Sequence, residues 1–328
     1  MKKNELSSGA SGARVRRDVV GLWCAGAVVL SAGAIAHGGM TYQTSPNPGG
    51  YIQACAGPST PGSNPWPGAD LTSLHTNPAS DVHEQSFLAL TTASASAAYA
   101  GGNTSNSSSG LVGMGFAHMQ AANNAPNNSF FAAGDVEAGW KDSFLISNPA
   151  LTGQAGFMQF TLHVSGSLAA AGFAGSSGFT VTGYKNAAQL MANPLFSPGN
   201  STPISSDRQY GTWRISSDFS TESLPVLGTV TFAVPITFGT PFDLSIFARA
   251  HAGMRSSSSV GGNSTSSADF STTLTWGGIT NVYLGTTPGA EYDLTSGSGT
   301  DWTRPVVPAP SAALAMAIGG AVMRRRRR

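Results

Sequence analysis

"GFMQFTLHVSGSL", residues 156 to 168, decides the fold class. Met158, Phe160, Leu162 and Val164 alternate with Gln159, Thr161 and His163, the period-two pattern of a strand that buries one face and wets the other. His163 falls on the polar side and is expected in solvent. "GTVTFAVPITFG", residues 228 to 239, repeats the pattern with Val230, Phe232, Val234 and Ile236 on one side. Pro235 within it cannot donate to a ladder, which predicts an edge or a bulge. "PFDLSIFARAHAG", residues 241 to 253, sets Phe242, Leu244 and Ile246 inward and Asp243, Ser245, Arg249 and His251 largely outward.

Further strands are expected in "FLALTTASASAAYAG" (87–101), "GLVGMGFAHMQ" (110–120), "GWKDSFLI" (139–146), "GFTVTGY" (178–184), "YGTWRI" (210–215), "ADFSTTLTWGG" (268–278) and "AEYDLTSGSG" (290–299). The body's one helical candidate is short, around Ala187 to Met191. Many short strands separated by Gly, Ser, Asn and Pro predict an all-β chain, an antiparallel β-sandwich or jelly roll, over residues 81–304. Residues 37–80, rich in Pro, Gly and Asn, are expected to be a loose lead-in.

Composition agrees with a folded body and excludes one partner. At 328 residues the chain is long enough to bury a core without covalent staples. Charged residues are only 10% of it, well under the ~25% usual for soluble domains. Between His37 and Arg304, seven basic residues against fourteen acidic ones leave the body seven charges negative, so nucleic acid is not an expected partner. The remaining basic residues sit at the two ends, where they act as signals.

Residues 1–36 have the layout of an export leader. Lys2, Lys3, Arg14, Arg16 and Arg17 precede the apolar run "VVGLWCAGAVVLSAGAIA", and Ala34 and Ala36 supply the small-x-small site that signal peptidase accepts. Cleavage there makes His37 the first residue and Cys55 the only cysteine, so no internal disulfide is expected. A catalytic thiol at Cys55 would need His75 or His83 as its base, but its Gly/Pro-rich stretch has nothing to fix an imidazole beside it, so an incidental or intermolecular thiol is expected.

At the other end, residues 305–328 combine Val307-Pro308-Ala309-Pro310, an Ala/Leu/Gly-rich apolar stretch and the terminal Arg324, Arg325, Arg326, Arg327 and Arg328. As a helix, residues 306 to 323 would span ~27 Å at 1.5 Å per residue, close to the ~30 Å hydrocarbon core. Leu314, Ile318 and Val322 favour insertion by only ~0.3 to 0.6 kcal/mol each, whereas an arginine at the bilayer centre costs roughly 2.5 to 3.5 kcal/mol. The pattern is that of a weak span with a strong stop, which suits transient anchoring with the arginines in the cytoplasm.

These three parts resemble the PEP-CTERM sorting signal of Gram-negative bacteria, which an exosortase, a membrane transpeptidase-like protease, recognises. Ala309 stands where the family's usual motif has Glu. The body from about Gly139, with "VPITFGTPFDLSIFARAHAG", "SADFSTTLTWGGI" and "LTSGSGTDW", is similar to the C-terminal half of many such exoproteins. The resemblance implies an exported, non-catalytic protein of the cell surface or extracellular matrix, associated with biofilm exopolysaccharide. Signal peptidase and an exosortase-like protease are the implied processing partners, and no cofactor is implied.

Two other readings stand beside this one. A carbohydrate-binding module would use exposed aromatic rings, with Trp66, Trp140, Trp213, Trp276 and Trp302 as candidates. A copper histidine brace would use the new amino terminus at His37 with His118 or His163. Asp135, Glu137 and Asp142 lack calcium-loop spacing and are expected in a solvated loop, a calcium site between strands of a jelly roll being the lesser alternative, and no Gly-x-Ser-x-Gly, Walker or His-Glu-x-x-His motif occurs. Asn-x-Ser/Thr sites at Asn103, Asn106, Asn127, Asn200 and Asn263 are of the frequency that so much Asn, Ser and Thr produces by chance.

Overall fold

The computed structural model describes residues 46–58, 81–101, 104–125, 132–172, 175–186, 188–190, 192–196, 210–215, 222–254 and 264–307. The strands, in chain order, are β1 (Gly49–Pro58), β2 (Asp81–Leu88), β3 (Thr92–Gly101), β4 (Thr104–Gly113), β5 (Phe116–Ala125), β6 (Ala132–Ser147), β7 (Ala155–Gly172) and β8 (Gly175–Lys185). There follow β9 (Ala188–Gln189), β10 (Ala192–Phe196), β11 (Tyr210–Ile215), β12 (Glu222–Thr237), β13 (Phe242–Met254), β14 (Ser264–Leu284), β15 (Thr287–Pro288) and β16 (Asp293–Ser296). A single turn of 3-10 helix at Pro149–Leu151 is capped by Asn148, whose side chain accepts from the Ala150 amide.

The strands form two sheets. The first has the order β11-β8-β13-β6-β1-β2, with β16 added to β6 and β9 to β8; the second runs β10-β12-β7-β14-β5-β4-β3, with β15 on β14. Every pairing described is antiparallel, as in the registers of β6 with β1 and of β7 with β12. The all-β expectation therefore holds. Where a helix was expected, Ala188–Gln189 turns back onto Tyr184 and Lys185 as a short strand. Asn186, at φ 46°, makes that bend, and its side chain accepts from the Asp243 amide. Ala187 and Met191 lie outside the described residues.

One core joins the sheets. Met158, Phe160, Leu162 and Val164 of β7 are buried, as their alternation predicts, together with Val230, Phe232, Val234 and Ile236 of β12. Across the layer Phe179 of the first sheet stacks on Phe270 of the second, centroids 4.0 Å apart. Phe160 stacks on Trp276 at 4.4 Å. Each ring of this size withdrawn from water contributes roughly 1.5 to 3 kcal/mol.

At the other end of the layer the sheets approach more closely and polar side chains bridge them. Ser108 Oγ donates to the Cys55 carbonyl at 2.8 Å, and Ser266 Oγ to that of Gly253 at 2.9 Å. Gly134 is required there, because a Cβ would stand 2.5 Å from the Ser107 carbonyl oxygen of the facing sheet.

Three local expectations need correction. Gly49–Pro58 lies inside the stretch expected to be a lead-in, yet β1 is an interior strand between β6 and β2; its core face, Ile52, Ala54 and Ala56, is apolar but small. The run 87–101 is not one strand, because a turn at Leu88–Thr91 breaks it, with Leu90 at φ 67° and the Thr91 amide donating to the Leu88 carbonyl. The run 110–120 is likewise a hairpin, turned at Gly115, whose φ of 78° suits a residue without a side chain. Pro235 does sit at a local edge: β10 pairs β12 only over Gly228–Phe232, leaving the proline's outer side free of a ladder.

Candidate functional site

The densest polar cluster among the described residues lies on the face of the first sheet that points away from the second. Register builds it. Asp135 of β6 stands opposite Cys55 of β1 and His251 of β13, and Glu137 stands opposite Gln53 and Arg249. Because strand side chains alternate, these odd-numbered positions share one side while Val136, Ala138, Ile246 and Ala248 face the core. Asp135 is 0% exposed, Arg249 3% and His251 2%. The outward placement expected for Arg249 and His251 is right about direction and wrong about solvent. Asp135 and Glu137, expected in a solvated loop, are buried in a strand.

The cluster is organised around one carboxylate. Asp135 Oδ1 accepts from Arg249 Nε at 2.8 Å, with Nη2 also at 2.8 Å, and Oδ2 lies 3.0 Å from His251 Nδ1. Burial works to raise the Asp135 carboxyl, but Arg249 and His251 outweigh it and hold it below the usual range. Burial pushes Glu137 up to about 7, partly opposed by Arg249 and reinforced by Asp135. Burial and then Asp135 push the Cys55 thiol upward. Nearby, Tyr51 donates to Glu84 Oε2 at 3.0 Å.

This geometry does not assemble a thiol–imidazole pair. In the row Cys55–Asp135–His251 the carboxylate stands between the two groups, so the imidazole is held by an acid and the thiol faces that same acid. His83 pairs in register with Ala54, on the opposite face from Cys55, and its Nε2 lies 2.9 Å from Asp81 Oδ1 at the surface. His75 lies outside the described residues. The network ties β6 to β13, with Cys55 of β1 alongside in register, and a buried pair of this kind is costly to break one partner at a time.

The sequence held a signal for it. Asp135 and Glu137 are two residues apart, as are Arg249 and His251, so each strand carries a charged pair on one face with signs that match across the ladder.

Asp142, the third acid expected in a loop, is on the core side of β6. It accepts from the Ser143 amide at 2.8 Å, the Ser298 amide at 2.9 Å, the Ser298 hydroxyl, and Trp302 Nε1 at 2.7 Å. Trp276 Nε1 donates in turn to the Trp302 carbonyl at 2.8 Å.

The other expected site residues are placed as follows. Trp140, Trp276 and Trp302 are core residues and present no ring to a ligand. Trp213 belongs to β11; Trp66 lies outside the described residues. His163 is exposed as expected, with Nδ1 3.5 Å from Thr229 Oγ1, while His118 is buried against Phe116. His37 lies outside the described residues. Asn106 is buried and donates to the Gly57 carbonyl, so it is not a glycan acceptor; Asn103, Asn127, Asn200 and Asn263 lie outside the described residues. So do Ala34, Ala36, Pro308, Ala309, Pro310 and Arg324 to Arg328. Val307, the first residue of the expected sorting motif, is described and is 84% exposed.

Fold and cluster thus define an all-β chain of two antiparallel sheets with a buried ionic network on one outer face. Compared with known protein families, curated proteins and solved structures, the chain matches none.

Proposed function

We propose that this chain is an exported, surface-sorted bacterial exoprotein of β-sandwich, jelly-roll-like architecture, non-catalytic and associated with extracellular polysaccharide. In this reading signal peptidase removes residues 1–36 and an exosortase-like protease processes the tail after transient anchoring in the membrane. The observation that carries it is the way the body ends. Val306 donates its amide to the Trp276 carbonyl at 2.9 Å and packs on the core, and the next residue, Val307, stands in solvent. The chain leaves the core one residue before Pro308-Ala309-Pro310, where a processing enzyme would need access.

Two further observations support the reading. The two sheets share one core, as a sandwich requires. The one thiol among the described residues is buried beside a carboxylate, which disfavours the thiolate that nucleophilic catalysis needs.

Mass spectrometry of the protein recovered from outside its host tests the proposal by reading both termini. The expected product begins at His37 and ends near Val307 to Pro310. Full-length chain in the cytosol, intact at both ends and free of membrane, overturns it.

A further inference from the structure

On the outer side of the second sheet Asp269 lies toward one end, opposite Ser167 and Gln120, and the described residues from His163 to Phe157 form rows without an acidic side chain. Outward side chains of β12, β7 and β14 align across the strands: Pro235 with Phe157 and Tyr283, then Ala233 with Gln159 and Asn281. Thr231 with Thr161 follows, and then Thr229 with His163 and the buried Thr275. From the first row to the last is six residues of strand, about 20 Å. No carboxylate or guanidinium belongs to these rows, in a body with fourteen acidic residues, and the Lys185 ammonium beside the first row is taken up by the Pro235 carbonyl at 2.6 Å.

We propose that this face is a binding platform for a neutral polysaccharide chain. Its charge pattern selects the partner: a polyhydroxylated neutral chain meets hydrogen-bonding groups without repulsion, whereas an anionic one meets an acidic body. Phe157 is 44% exposed, a large ring left in water that the fold does not need, and Tyr283 is its cross-strand neighbour. Rings so placed offer an apolar face on which a sugar ring can stack.

The polar groups beside the rings are already oriented. Tyr283 donates its hydroxyl to Gln159 Oε1 at 3.2 Å, which engages the acceptor end of the amide and leaves Nε2 as its donor end. Further along, a Cβ on Gly277 would collide with Thr161 Oγ1 and stand 2.6 Å from His163 Nε2. The Thr161 hydroxyl and the His163 imidazole thus close over the Gly277 backbone, which sets these two polar groups side by side on the face. Of the tryptophans expected to do this work, Trp140, Trp276 and Trp302 are in the core, and the platform uses Phe157 and Tyr283 instead.

The assignment takes only its extracellular setting from the proposed function, so the two fail separately: terminal mass spectrometry judges export, and binding by purified protein judges the face. The experiment is native affinity electrophoresis of the purified full-length chain in gels containing dextran, hydroxyethylcellulose or galactomannan, with alginate as the charged control. At least one neutral polymer should retard the protein and alginate should not. Phe157→Ala and Thr231→Lys, both at outward positions, should each weaken retardation by about tenfold with unchanged melting temperature; if one variant fails to fold, the other decides. No retardation by any neutral polymer, equal retardation by alginate, or undiminished binding by the folded variants overturns the assignment. So does a dimer in sedimentation that Thr231→Lys dissociates, which would make the face a contact between copies.

Discussion

Trp302 Nε1 donates to Asp142 Oδ2 at 2.7 Å across 160 residues of sequence, and both side chains are buried. The indole is therefore both a core ring and the partner of a carboxylate that has no access to water. Trp302→Phe keeps most of the ring and removes the donor. A hydrogen bond to a charged group is worth ~1.5 to 3 kcal/mol, and a loss of that size is expected in urea unfolding. Hydrogen exchange should accelerate first at the Ser298 amide, which shares the carboxylate.

Breaking the Asp135 network from either side should be more damaging than removing both partners. Asp135→Ala leaves Arg249 and His251 buried without their acid, and Arg249→Met leaves Asp135 with only His251. Each is expected to cost about 3 to 5 kcal/mol. The double variant should cost less than either single one, as read from a double-mutant cycle in urea.

Stability should depend on pH in opposite senses through two neighbouring acids. Glu137 has a folded value of about 7 against 4.5 ordinarily, so between those values the folded state keeps a proton that the unfolded chain has released. Stability then falls as pH rises through this window, by at most ~1.4 kcal/mol per unit, and levels off above it. Asp135 is held below its ordinary 3.8, so its contribution is present above that value and is lost as pH falls below it. Melting temperature should be highest near the low end of the Glu137 window, and Glu137→Gln should flatten the decline toward neutrality.

Gly134→Ala should destabilise despite adding only a methyl group. The new Cβ meets the Ser107 and Ala122 carbonyl oxygens at 2.5 and 3.1 Å, and these are backbone atoms that cannot rotate away. Overpacking of this kind costs typically ~1 to 3 kcal/mol, measurable as a lower urea midpoint with an unchanged slope.

Alternation made the second sheet legible, because β7 and β12 combine large apolar residues with a solvated outer face. The same rule underread β1, whose core positions are Ile52, Ala54 and Ala56: small residues suffice where sheets approach closely, but they give a weak apolar signal. Alternation also assigned Arg249 and His251 to the outer side without revealing that this side is buried, since the period reports which way a side chain points and not what lies over it. The tryptophans misled for a related reason. Trp276 and Trp302 satisfy their N–H groups internally, through the Trp302 carbonyl and Asp142, and partners that far away in sequence cannot be seen in composition.

The order of the strands also has a consequence in time. β13 lies between β8 and β6, and β14 between β7 and β5, so the central gap of each sheet is filled by strands that come late in the chain. A polypeptide delivered amino terminus first, whether from a ribosome or through a translocase, must wait with both half-sheets open until Leu284 has emerged. Only then can the keystone strands slot in, which makes the final quarter of the message the step that commits the whole molecule to its native state.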